Sequence, residues 1–490
     1  MRCAAFDLGA SSGKLFTGAL CGDRMQLNPV YRFPNRMIRF SNGLYWDFFA
    51  ILENMNLGLR KAARDGGVDS FGVDSFNNDF SLIDRHGELL LPVRSYRDPR
   101  TEAWRKEIDR ILPPERLYAY TGNQRAPFNT LMQLAAMSLS GQGGLFEAAE
   151  TMLFLPDLLT FAMTGIRRAE YTVAAESQFL DLITCRWIQE ILAAFDIPDR
   201  ILPEVQMPGT RLGRASDAYC RDQGLHPFEV VSVCQHDTAS AFLTAPNGRE
   251  GAYISSGTWS LVGIETDAPV ITELTFRHNI ANEGGYPGHH RLLKNVMGTW
   301  ILQELLREYA SEGTEINFEQ AQALARKAQP FGFMMDPDAP AFFEPGRMRD
   351  KIRAESLRAC GRAPESPGEF FRCVYEGLAL RYRYALELLE EASGRSIAWI
   401  NVMGGGSQDA FACQCTADAA GRTVLAGPAD ASAIGNLMVQ MMAQGMLDNV
   451  RQGRELVARS FPRKIYTPAN ADAWEAQYQA FQAYLERETL

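Results

Sequence analysis

Three observations on the sequence predict an α/β fold with two large domains. The chain has 490 residues, which is more than one hydrophobic core usually supports. Short apolar β runs alternate with helical stretches along its first half. A turn of small residues near the N-terminus, Gly9–Gly13, returns in altered form at Ser255–Ser260, and each turn lies between two β runs. This internal repeat indicates that the two domains are similar.

The first half of the chain shows the α/β alternation most clearly. We predict strands over Cys3–Phe6, Leu15–Leu20, Val30–Phe33, Val68–Val73, Phe80–Ile83 and Val230–Val233. We predict helices over Phe48–Ala63, Arg100–Arg110, Thr130–Ser138, Pro156–Met163 and Ile188–Phe195. The strand at Val230–Val233 runs into a further helix, with Asp237 at its N-terminal edge.

A polar turn at Ala245–Gly248 predicts the domain boundary. Beyond it we expect strands at Ala252–Ile254, Leu261–Ile264 and Trp399–Met403 and helices at Pro367–Ala392, Ala412–Ala420 and Ala471–Glu488. Ser366 and Glu369 form a capping-box pattern in front of the longest of these helices. Cys413 and Cys415 lack partners for a zinc site and are expected to be buried helix residues.

Composition excludes several classes of function. A net charge of −10 argues against a nucleic-acid surface, because phosphate contacts need clustered Lys and Arg. The N-terminus lacks the apolar core of a signal peptide, and no segment has the roughly 20 apolar residues of a membrane span. The nine cysteines are scattered, which fits reduced thiols. We therefore expect a cytoplasmic protein with no nucleic-acid or membrane partner, of undetermined oligomeric state.

The two turns are candidate phosphate sites. Small residues allow backbone N–H groups to approach an anionic oxygen, and Ser11, Ser12 and Lys14 would add donors. A tight β-hairpin without a ligand would use the same residues. Neither turn matches the GxxxxGK[ST] or GxGxxG pattern. Asp7, at the end of the first strand, is a candidate Mg²⁺ carboxylate.

Two further segments carry candidate chemistry. The glycines Gly404–Gly406 follow a strand and precede a helix, so they form either a ligand-binding turn or an ordinary loop. Asp237 could act as a general base in phosphoryl transfer or cap its helix, and the residues alone favour the cap. Asp74–Asp79 and Tyr96–Arg100 are rich in hydrogen-bonding side chains, as a polyol site requires, although Asn and Asp are also ordinary turn residues.

Several of these segments, in order, resemble the FGGY carbohydrate kinases over nearly the whole chain. The most specific matches are Asp7–Lys14, Gln235–Ser240, Ser255–Ser260, Asn282–Gly285, Leu292–Gly298 and the run from Gly404 to Asn436. The resemblance implies two ribonuclease-H-like domains of the sugar kinase, actin and heat-shock ATPase superfamily, with an interdomain cleft. It implies that 1–245 is mainly sugar-binding and that 246–490 is mainly nucleotide-binding.

The resemblance also implies roles for individual residues. Asp237 would be the base that acts on a primary hydroxyl of the sugar, with ATP and Mg²⁺ as cofactors and Asp7 near the metal. The substrate-binding residues would be Asn77, Asp79, His236, Thr238 and Asn295. The nucleotide and its phosphates would contact Ala10, Ser11, Ser12, Gly13, Lys14, Thr258, Gln303, Gly404 and Gly405.

Two departures from the family pattern bear on the substrate. The branch of the family that this chain resembles most usually has Trp-Gly-Val-Asp where Phe76–Asp79 stands, and Arg where Lys14 stands. Loss of a glycine removes room for close backbone approach, and Lys lacks the bidentate fork of Arg. The expected reaction is ATP-dependent phosphorylation of L-rhamnulose to L-rhamnulose 1-phosphate. The alternatives are another ketose such as L-fuculose or L-xylulose, an inert sugar sensor, and a chaperone-like ATPase.

Overall fold

A computed structural model describes residues 1–489 and divides into two compact units. The first unit comprises Met1–Asn247, Glu265–Leu292 and Ala431–Ser460. The second unit comprises Gly248–Ile264, Leu293–Asp430 and the residues from Phe461 onward. Each unit is therefore assembled from segments that are distant in sequence.

The strands are β1 (Arg2–Leu8), β2 (Ser12–Cys21), β3 (Arg24–Pro34), β4 (Met37–Phe40), β5 (Gly43–Trp46), β6 (Ser70–Ser75), β7 (Phe80–Ile83), β8 (Thr151–Phe154), β9 (Ala169–Glu170), β10 (Val205–Gln206), β11 (Thr210–Arg214), β12 (Glu229–Ser232), β13 (Gly251–Ser256), β14 (Trp259–Thr266), β15 (Ala281–Gly284), β16 (His290–Met297), β17 (Trp399–Met403), β18 (Thr423–Ala426) and β19 (Lys464–Tyr466).

The helices are α1 (Phe48–Arg64), α2 (Arg105–Ile111), α3 (Pro114–Thr121), α4 (Thr130–Met137), α5 (Gly144–Ala148), α6 (Leu155–Thr164), α7 (Tyr171–Ala174), α8 (Gln189–Ala194), α9 (Asp217–Gln223), α10 (Asp237–Phe242), α11 (Glu273–Arg277), α12 (Trp300–Ser311), α13 (Phe318–Lys327), α14 (Met348–Cys360), α15 (Pro367–Ser393), α16 (Ala410–Ala420), α17 (Ala431–Ala443), α18 (Val450–Ser460) and α19 (Ala471–Thr489). Short 3₁₀ helices include Pro99–Trp104, Ala175–Ser177 and Gly405–Gln408.

The first unit is built on a twisted sheet in the order β3-β2-β1-β6-β12-β11. Strand β1 pairs antiparallel with β2 and parallel with β6, which in turn pairs parallel with β12. Phe6, Val73 and Val230 on these strands are fully buried. The parallel strands β1 and β6 carry Asp7 and Asp74 at paired positions near their carboxyl ends. Open α/β sheets usually bind ligands at that edge.

The sheet of the second unit repeats this order. Six of its seven strands run in the order β16-β14-β13-β17-β18-β19, with β13 antiparallel to β14 and parallel to β17, and β17 parallel to β18. The outer strand β19 is antiparallel to its neighbour, as β11 is in the first unit. The predicted α/β fold and its internal repeat are confirmed.

Most of the predicted elements are present, with two instructive differences. Strand β3 begins at Arg24, earlier than the predicted Val30, because Met25 and Leu27 alternate with exposed polar residues and extend the strand across Pro29. The helix predicted from Arg100 begins as the 3₁₀ helix Pro99–Trp104, where Asp98 caps the chain by accepting from the Arg100 N–H. The capping box of Ser366 and Glu369 is present at the start of α15.

Two smaller expectations concern buried thiols and membrane spans. Cys413 and Cys415 are buried on α16, as predicted. Within residues 1–489, none of the helices combines the length and the apolar character that crossing a bilayer would require.

Candidate active site

The N-terminal turn connects β1 and β2 and brings a carboxylate next to an ammonium group. Asp7 and Lys14 are paired positions on the two strands, and Lys14 Nζ lies 3.7 Å from Asp7 Oδ2. The Gly9 N–H donates to the Ser12 carbonyl and closes the turn. A Cβ at Gly13 would lie 2.2 Å from the ring of Phe33, so only glycine fits there. The turn is thus a hairpin, with Ser11 exposed and Ala10 and Ser12 half-buried.

A second carboxylate, Asp74, stands beside Asp7 on the neighbouring strand β6. Asp74 is fully buried and accepts a hydrogen bond of 2.7 Å from Asn436 Nδ2 on α17. Burial raises the pKa of Asp74 well above its usual value, and the charges of Asp7 and Asp237 raise it further. The edge of the sheet therefore concentrates negative charge.

The third carboxylate of this group is Asp237, the first residue of α10. The residue at the cap position is His236, so the prediction that Asp237 caps the helix is wrong. The backbone of Asp237 is already helical. Its carboxyl accepts a hydrogen bond from Thr238 Oγ1 at 3.1 Å. Helix α10 packs tightly on α17, where a Cβ at Gly435 would lie 1.8 Å from the Ser240 carbonyl oxygen. This contact fixes the helix that carries Asp237.

The electrostatics of Asp237 suit proton transfer. Burial raises the pKa of Asp237 to about 7, the charge of Asp7 adds to this, and the hydrogen bond from Thr238 opposes it. Its side chain is nevertheless 31% exposed, so it is open to a ligand. A carboxyl with a pKa near neutrality can act as a general base at physiological pH. We refer to Asp7, Asp74 and Asp237 as the acid cluster.

Aromatic and amide side chains form a second group in the same unit. Phe76 packs on Trp46 and Tyr96, with ring centroids 4.8 Å and 5.8 Å apart. Trp46 Nε1 donates to buried Asp79 at 2.5 Å, and burial raises the pKa of Asp79 to about 7. Asn77 is half-buried and accepts from Asn78 Nδ2 at 2.7 Å. Flat apolar faces next to a few fixed polar groups are typical of sugar sites.

The structure connects these aromatic and amide side chains to the acid cluster. Burial raises the pKa of Tyr96, and the charges of both Asp79 and Asp237 raise it further. Asp237 is therefore close enough to the aromatic residues to act on one of them electrostatically. His236 is buried next to Asp237, and its Nε2 lies 3.6 Å from Asp237 Oδ1.

The second turn, between β13 and β14, carries hydroxyl groups where the first carries charges. Ser256 and Ser260 are paired positions, and the half-buried Thr258 lies between them. The carbonyl oxygens of Gly257 and Thr258 accept from the N–H groups of Thr299 and Gly298 in front of α12. Gln303 Nε2 donates to Thr299 Oγ1 at 3.0 Å. Thr258 and Gln303 are thus brought to one region of the second unit.

A small cavity of about 20 Å³ lies next to this turn within the second unit. It is lined by Ser256, Thr299, Leu302, Tyr375, Leu378, Ala379, Tyr382, Val402, Gly406, Asp409, Ala412, Cys413 and Thr416. Tyr375 donates to Asp409 at 2.7 Å, and Asp409 caps α16 by accepting from the N–H groups of Phe411 and Ala412.

The glycines Gly404–Gly406 form the approach to the same cavity. A Cβ at Gly406 would lie 2.0 Å from Ser256 Oγ, whereas a Cβ at Gly405 would meet no atom of the described residues within 4 Å. Gly405 is also exposed. The turn therefore packs closely on β13 on one side and leaves backbone open to a ligand on the other.

The predicted site residues fall into two sets. The first unit brings together Asp7, Ala10, Ser11, Ser12, Gly13, Lys14, Asn77, Asp79, His236, Asp237 and Thr238. The second unit contains Thr258, Gln303, Gly404, Gly405 and Asn295, which is half-buried on β16. Asn295 is thus the one predicted substrate residue outside the first unit.

Sequence reasoning missed several buried partners of the site. Asp74 and Glu283 stood in polar segments without an assigned role, and Glu176, Arg291 and Tyr375 carried no signal. Asp74, Glu176 and Tyr375 contact groups that are remote in sequence, so no local pattern could reveal them. Asp409 is different, because an Asp at the N-cap of α16 is a local signal that could have been found.

Two family models cover most of the chain. The N-terminal domain model of the FGGY family of carbohydrate kinases matches residues 46–244, and the C-terminal domain model matches residues 252–444. The first match ends just before the turn at Ala245–Gly248, and the second begins just after it. The sequence predicts the domain boundary at this turn.

Curated relatives and solved structures agree with these matches. A rhamnulokinase of Bacteroides thetaiotaomicron is 38% identical over 484 residues, covering 97% of this chain and 98% of the relative. A rhamnulokinase of Enterococcus faecalis is 37% identical, covering 97% and 96%. The fold is similar to that of a xylulose kinase from Lactobacillus acidophilus, with a TM-score of 0.82 at 15% identity, covering 100% of this chain and 98% of the other. The sequence, the site and these matches together establish that the chain belongs to the FGGY family of carbohydrate kinases.

Proposed function

We propose that the protein phosphorylates L-rhamnulose at its primary hydroxyl, converting L-rhamnulose and ATP to L-rhamnulose 1-phosphate and ADP. The observation that carries the proposal is the carboxyl of Asp237, whose side chain is 31% exposed and whose pKa is raised to about 7 in the acid cluster. The choice of sugar draws on the curated relatives, which are named rhamnulokinases.

The reaction needs one proton acceptor from the protein. Asp237 accepts the proton of the sugar hydroxyl while that oxygen forms a bond to the γ-phosphorus of ATP, and the bond between this phosphorus and ADP breaks. Thr238, which donates to Asp237 Oδ1, holds the carboxyl in one orientation. Phosphoryl transfer depends mostly on such positioning and on charge stabilisation rather than on covalent chemistry.

Lys14 is assigned to charge stabilisation. Its side chain is 30% exposed and its Nζ lies 3.7 Å from Asp7 Oδ2, so the ammonium group is held at the turn. A cation so placed can neutralise charge on a transferring phosphoryl group. The exposed and half-buried residues Ala10, Ser11 and Ser12 offer further backbone and hydroxyl donors to the phosphates.

The acid cluster fits a divalent cation. Three carboxylates gather where burial and mutual repulsion raise the pKa of Asp74, and a bound cation would relieve that repulsion. Asp7, with its side chain 15% exposed, is the residue proposed to hold Mg²⁺. When bound, Mg²⁺ neutralises phosphate charge.

The nucleotide is assigned to the second unit. Gly406 lines a small cavity beside Tyr375 and Asp409, and the preceding Gly404 and Gly405 are half-buried and exposed. Thr258 and Gln303 lie in the adjoining turn and helix. The division of labour between 1–245 and 246–490 and a cytoplasmic location stay predictions.

One observation supports the alternative that the substrate is a ketose other than L-rhamnulose. Asn77 stands where a glycine is usual in the branch of the family that this chain resembles. The Nδ2 of Asn78 donates to the Oδ1 of Asn77 at 2.7 Å. The Asn77 amide N–H₂ is thereby directed away from Asn78 and can donate to a sugar hydroxyl. A hydrogen bond of this kind distinguishes sugars that differ at a single hydroxyl, such as L-rhamnulose and L-fuculose.

The test is sugar-dependent ADP release with MgATP. The panel contains L-rhamnulose, L-fuculose, L-xylulose, D-xylulose, L-ribulose and glycerol, with a blank that lacks sugar. We expect the highest kcat/KM with L-rhamnulose. Turnover of another ketose alone would refute L-rhamnulose as substrate, and ADP release in the blank at the same rate as with every sugar would refute sugar phosphorylation.

A further inference from the structure

A buried group of charged side chains lies against His236 and has no role in the proposed reaction. It comprises Glu176 from the 3₁₀ helix Ala175–Ser177, Glu283 on β15 and Arg291 on β16. All three side chains belong to the first unit and are no more than 2% exposed. We refer to them as the buried Arg–Glu group.

Arg291 is the centre of the buried Arg–Glu group. Its Nη2 lies 2.9 Å from Glu283 Oε2, 3.5 Å from Glu176 Oε1 and 3.1 Å from His236 Nδ1. Its Nε donates to the Gly284 carbonyl oxygen at 2.9 Å. The two carboxylates and the imidazole could also ligate a metal ion. The guanidinium already supplies the positive charge at that position, so a metal site there is disfavoured.

The charges of the group are balanced. Burial raises the pKa of Glu176 well above its usual value, and the charge of Glu283 raises it further. Burial also raises the pKa of Glu283, but the charge of Arg291 opposes that rise, so a proton held by Glu176 would leave the single charge of Glu283 to balance that of Arg291. An unbalanced buried charge would be strongly destabilising.

This arrangement determines which nitrogen of His236 carries the proton. A guanidinium group has donors only, so a hydrogen bond between Arg291 Nη2 and His236 Nδ1 requires Nδ1 to accept. Burial and the charge of Arg291 both lower the pKa of His236, so the ring is neutral. Its one proton is then on Nε2, the nitrogen that faces Asp237 Oδ1 at 3.6 Å.

We propose that Arg291 is a positioning residue that fixes the Nε2–H tautomer of His236, so that this N–H donates to the sugar oxygen held beside Asp237. The inference rests on the proposed function for its last step. The backbone of His236 is fixed as well, because its N–H donates to Thr172 Oγ1 at 3.1 Å. With ring and backbone both held, His236 orients the sugar before Asp237 removes the proton.

The first test is the tautomer in the protein without ligands. Selective ¹⁵N-histidine labelling and long-range ¹H–¹⁵N correlation spectra distinguish a protonated from an unprotonated ring nitrogen, and His236→Gln identifies the His236 signals among those of the six histidines. We expect a protonated Nε2 and an unprotonated Nδ1 in the wild-type protein. A protonated Nδ1 would overturn the proposal, and no activity measurement enters this test.

The second test is a double-mutant cycle with Arg291→Met and His236→Gln. Arg291→Met should raise the KM for the sugar about tenfold or more, the cost of a lost charge-assisted hydrogen bond, and leave the KM for ATP within twofold. In the His236→Gln background the same substitution should change the sugar KM less than twofold. Full additivity of the two substitutions would overturn the proposal.

A matched control separates positioning from general loss of stability. Arg372 is an arginine of the second unit with a side chain only 13% exposed, and it donates to Glu376 at 2.6 Å. Arg372→Met should lower the unfolding temperature as Arg291→Met does, without raising the KM for the sugar. An equal rise in the sugar KM for both variants would overturn the proposal. If no sugar is phosphorylated but the wild-type tautomer is as expected, the proposed function fails and the fixed tautomer stands.

Discussion

The two units share a sheet order but carry different chemistry at the same position. In each unit a hairpin joins the first two strands, and a parallel strand follows on the other side of the first. In the first unit Asp7 and Asp74 are the next-to-last residues of the parallel strands β1 and β6. In the second unit the matching strands end in Ser255 and Ser256 and in Met403, which is followed by glycines.

The comparison shows how one topology supports two tasks. Charged side chains at a strand end can accept a proton and attract a cation, but they repel phosphate oxygens. Hydroxyl groups and exposed backbone accept a nucleotide without adding negative charge. This contrast supports the proposal that the unit with the acid cluster binds the sugar and the metal and that the unit with the cavity binds the nucleotide.

The largest effect is expected from Asp237→Asn. Loss of the general base should lower kcat by about 10²–10⁴-fold and leave the KM for ATP nearly unchanged. Asp217→Asn is the matched control, because Asp217 is also the first residue of a helix but is exposed on α9. Steady-state ADP release measures both variants. A wild-type rate for Asp237→Asn would show that the acid cluster does not supply the base.

A smaller effect is expected from Lys14→Gln. Removal of a charge-assisted contact of about 1.5–3 kcal/mol should lower kcat/KM for ATP by about 10–100-fold. Lys14→Arg keeps the charge and should recover most of the activity. Initial rates at varied MgATP concentration measure both. If Lys14→Gln and wild type gave equal kcat/KM values, the first turn would have no phosphate role.

The pH dependence follows from the raised pKa of Asp237. Below a pKa of about 7 the carboxyl is increasingly protonated and cannot accept the sugar proton, so kcat/KM for the sugar should be about tenfold lower at pH 6 than on the plateau above pH 8. A flat profile between pH 6 and pH 8, with coupling enzymes in excess, would contradict the assignment.

The same pKa has a consequence for stability. The folded state favours the neutral form of Asp237, so its contribution to stability is lost as pH rises from about 4 through about 7. The free energy of unfolding of Asp237→Asn relative to wild type should therefore increase between pH 5 and pH 8. Urea denaturation at the two pH values measures this difference, and no change would contradict it.

The smallest effect is expected from Gly405→Ala. The protein leaves space for this methyl group, so the free energy of unfolding should stay within about 0.5 kcal/mol of wild type while the KM for ATP rises a few-fold. Gly406→Ala is the contrasting variant, because its methyl group would overlap Ser256 and cost about 1–3 kcal/mol of stability. An unchanged KM for ATP in Gly405→Ala would remove this glycine from the nucleotide site.

The sequence predicted the framework well where the pattern was local. Strand β7 has the predicted bounds, α1 ends one residue later than predicted, and α15 begins at its capping box. Apolar periodicity and caps determine these elements without help from distant residues. The start of β3 was missed, although buried Met25 and half-buried Leu27 alternate there with exposed polar residues, because Pro29 interrupts the pattern.

The site was predictable only in part for the same reason. The turn at Gly9–Gly13 and the strand end before Asp237 are local features, so both were found. The cap assignment of Asp237 was wrong, because the backbone turns into the helix one residue earlier, at His236. Arg291 and Glu176 meet His236 only after three remote segments fold together, and sequence spacing cannot show that.

The most direct test of the contrast between the units measures two quantities on the same two variants. These are kcat for sugar-dependent ADP release and the Kd of a non-hydrolysable ATP analogue with Mg²⁺, for Asp237→Asn and Gly405→Ala. We predict that Asp237→Asn loses at least about 99% of kcat, because a general base typically contributes about 100-fold or more to the rate. The Kd of the analogue should stay within about twofold of wild type. Gly405→Ala should weaken Kd and keep kcat at saturating ATP. Weaker binding of the ATP analogue by Asp237→Asn, together with most of the wild-type kcat, would contradict the proposed division of tasks between the two units.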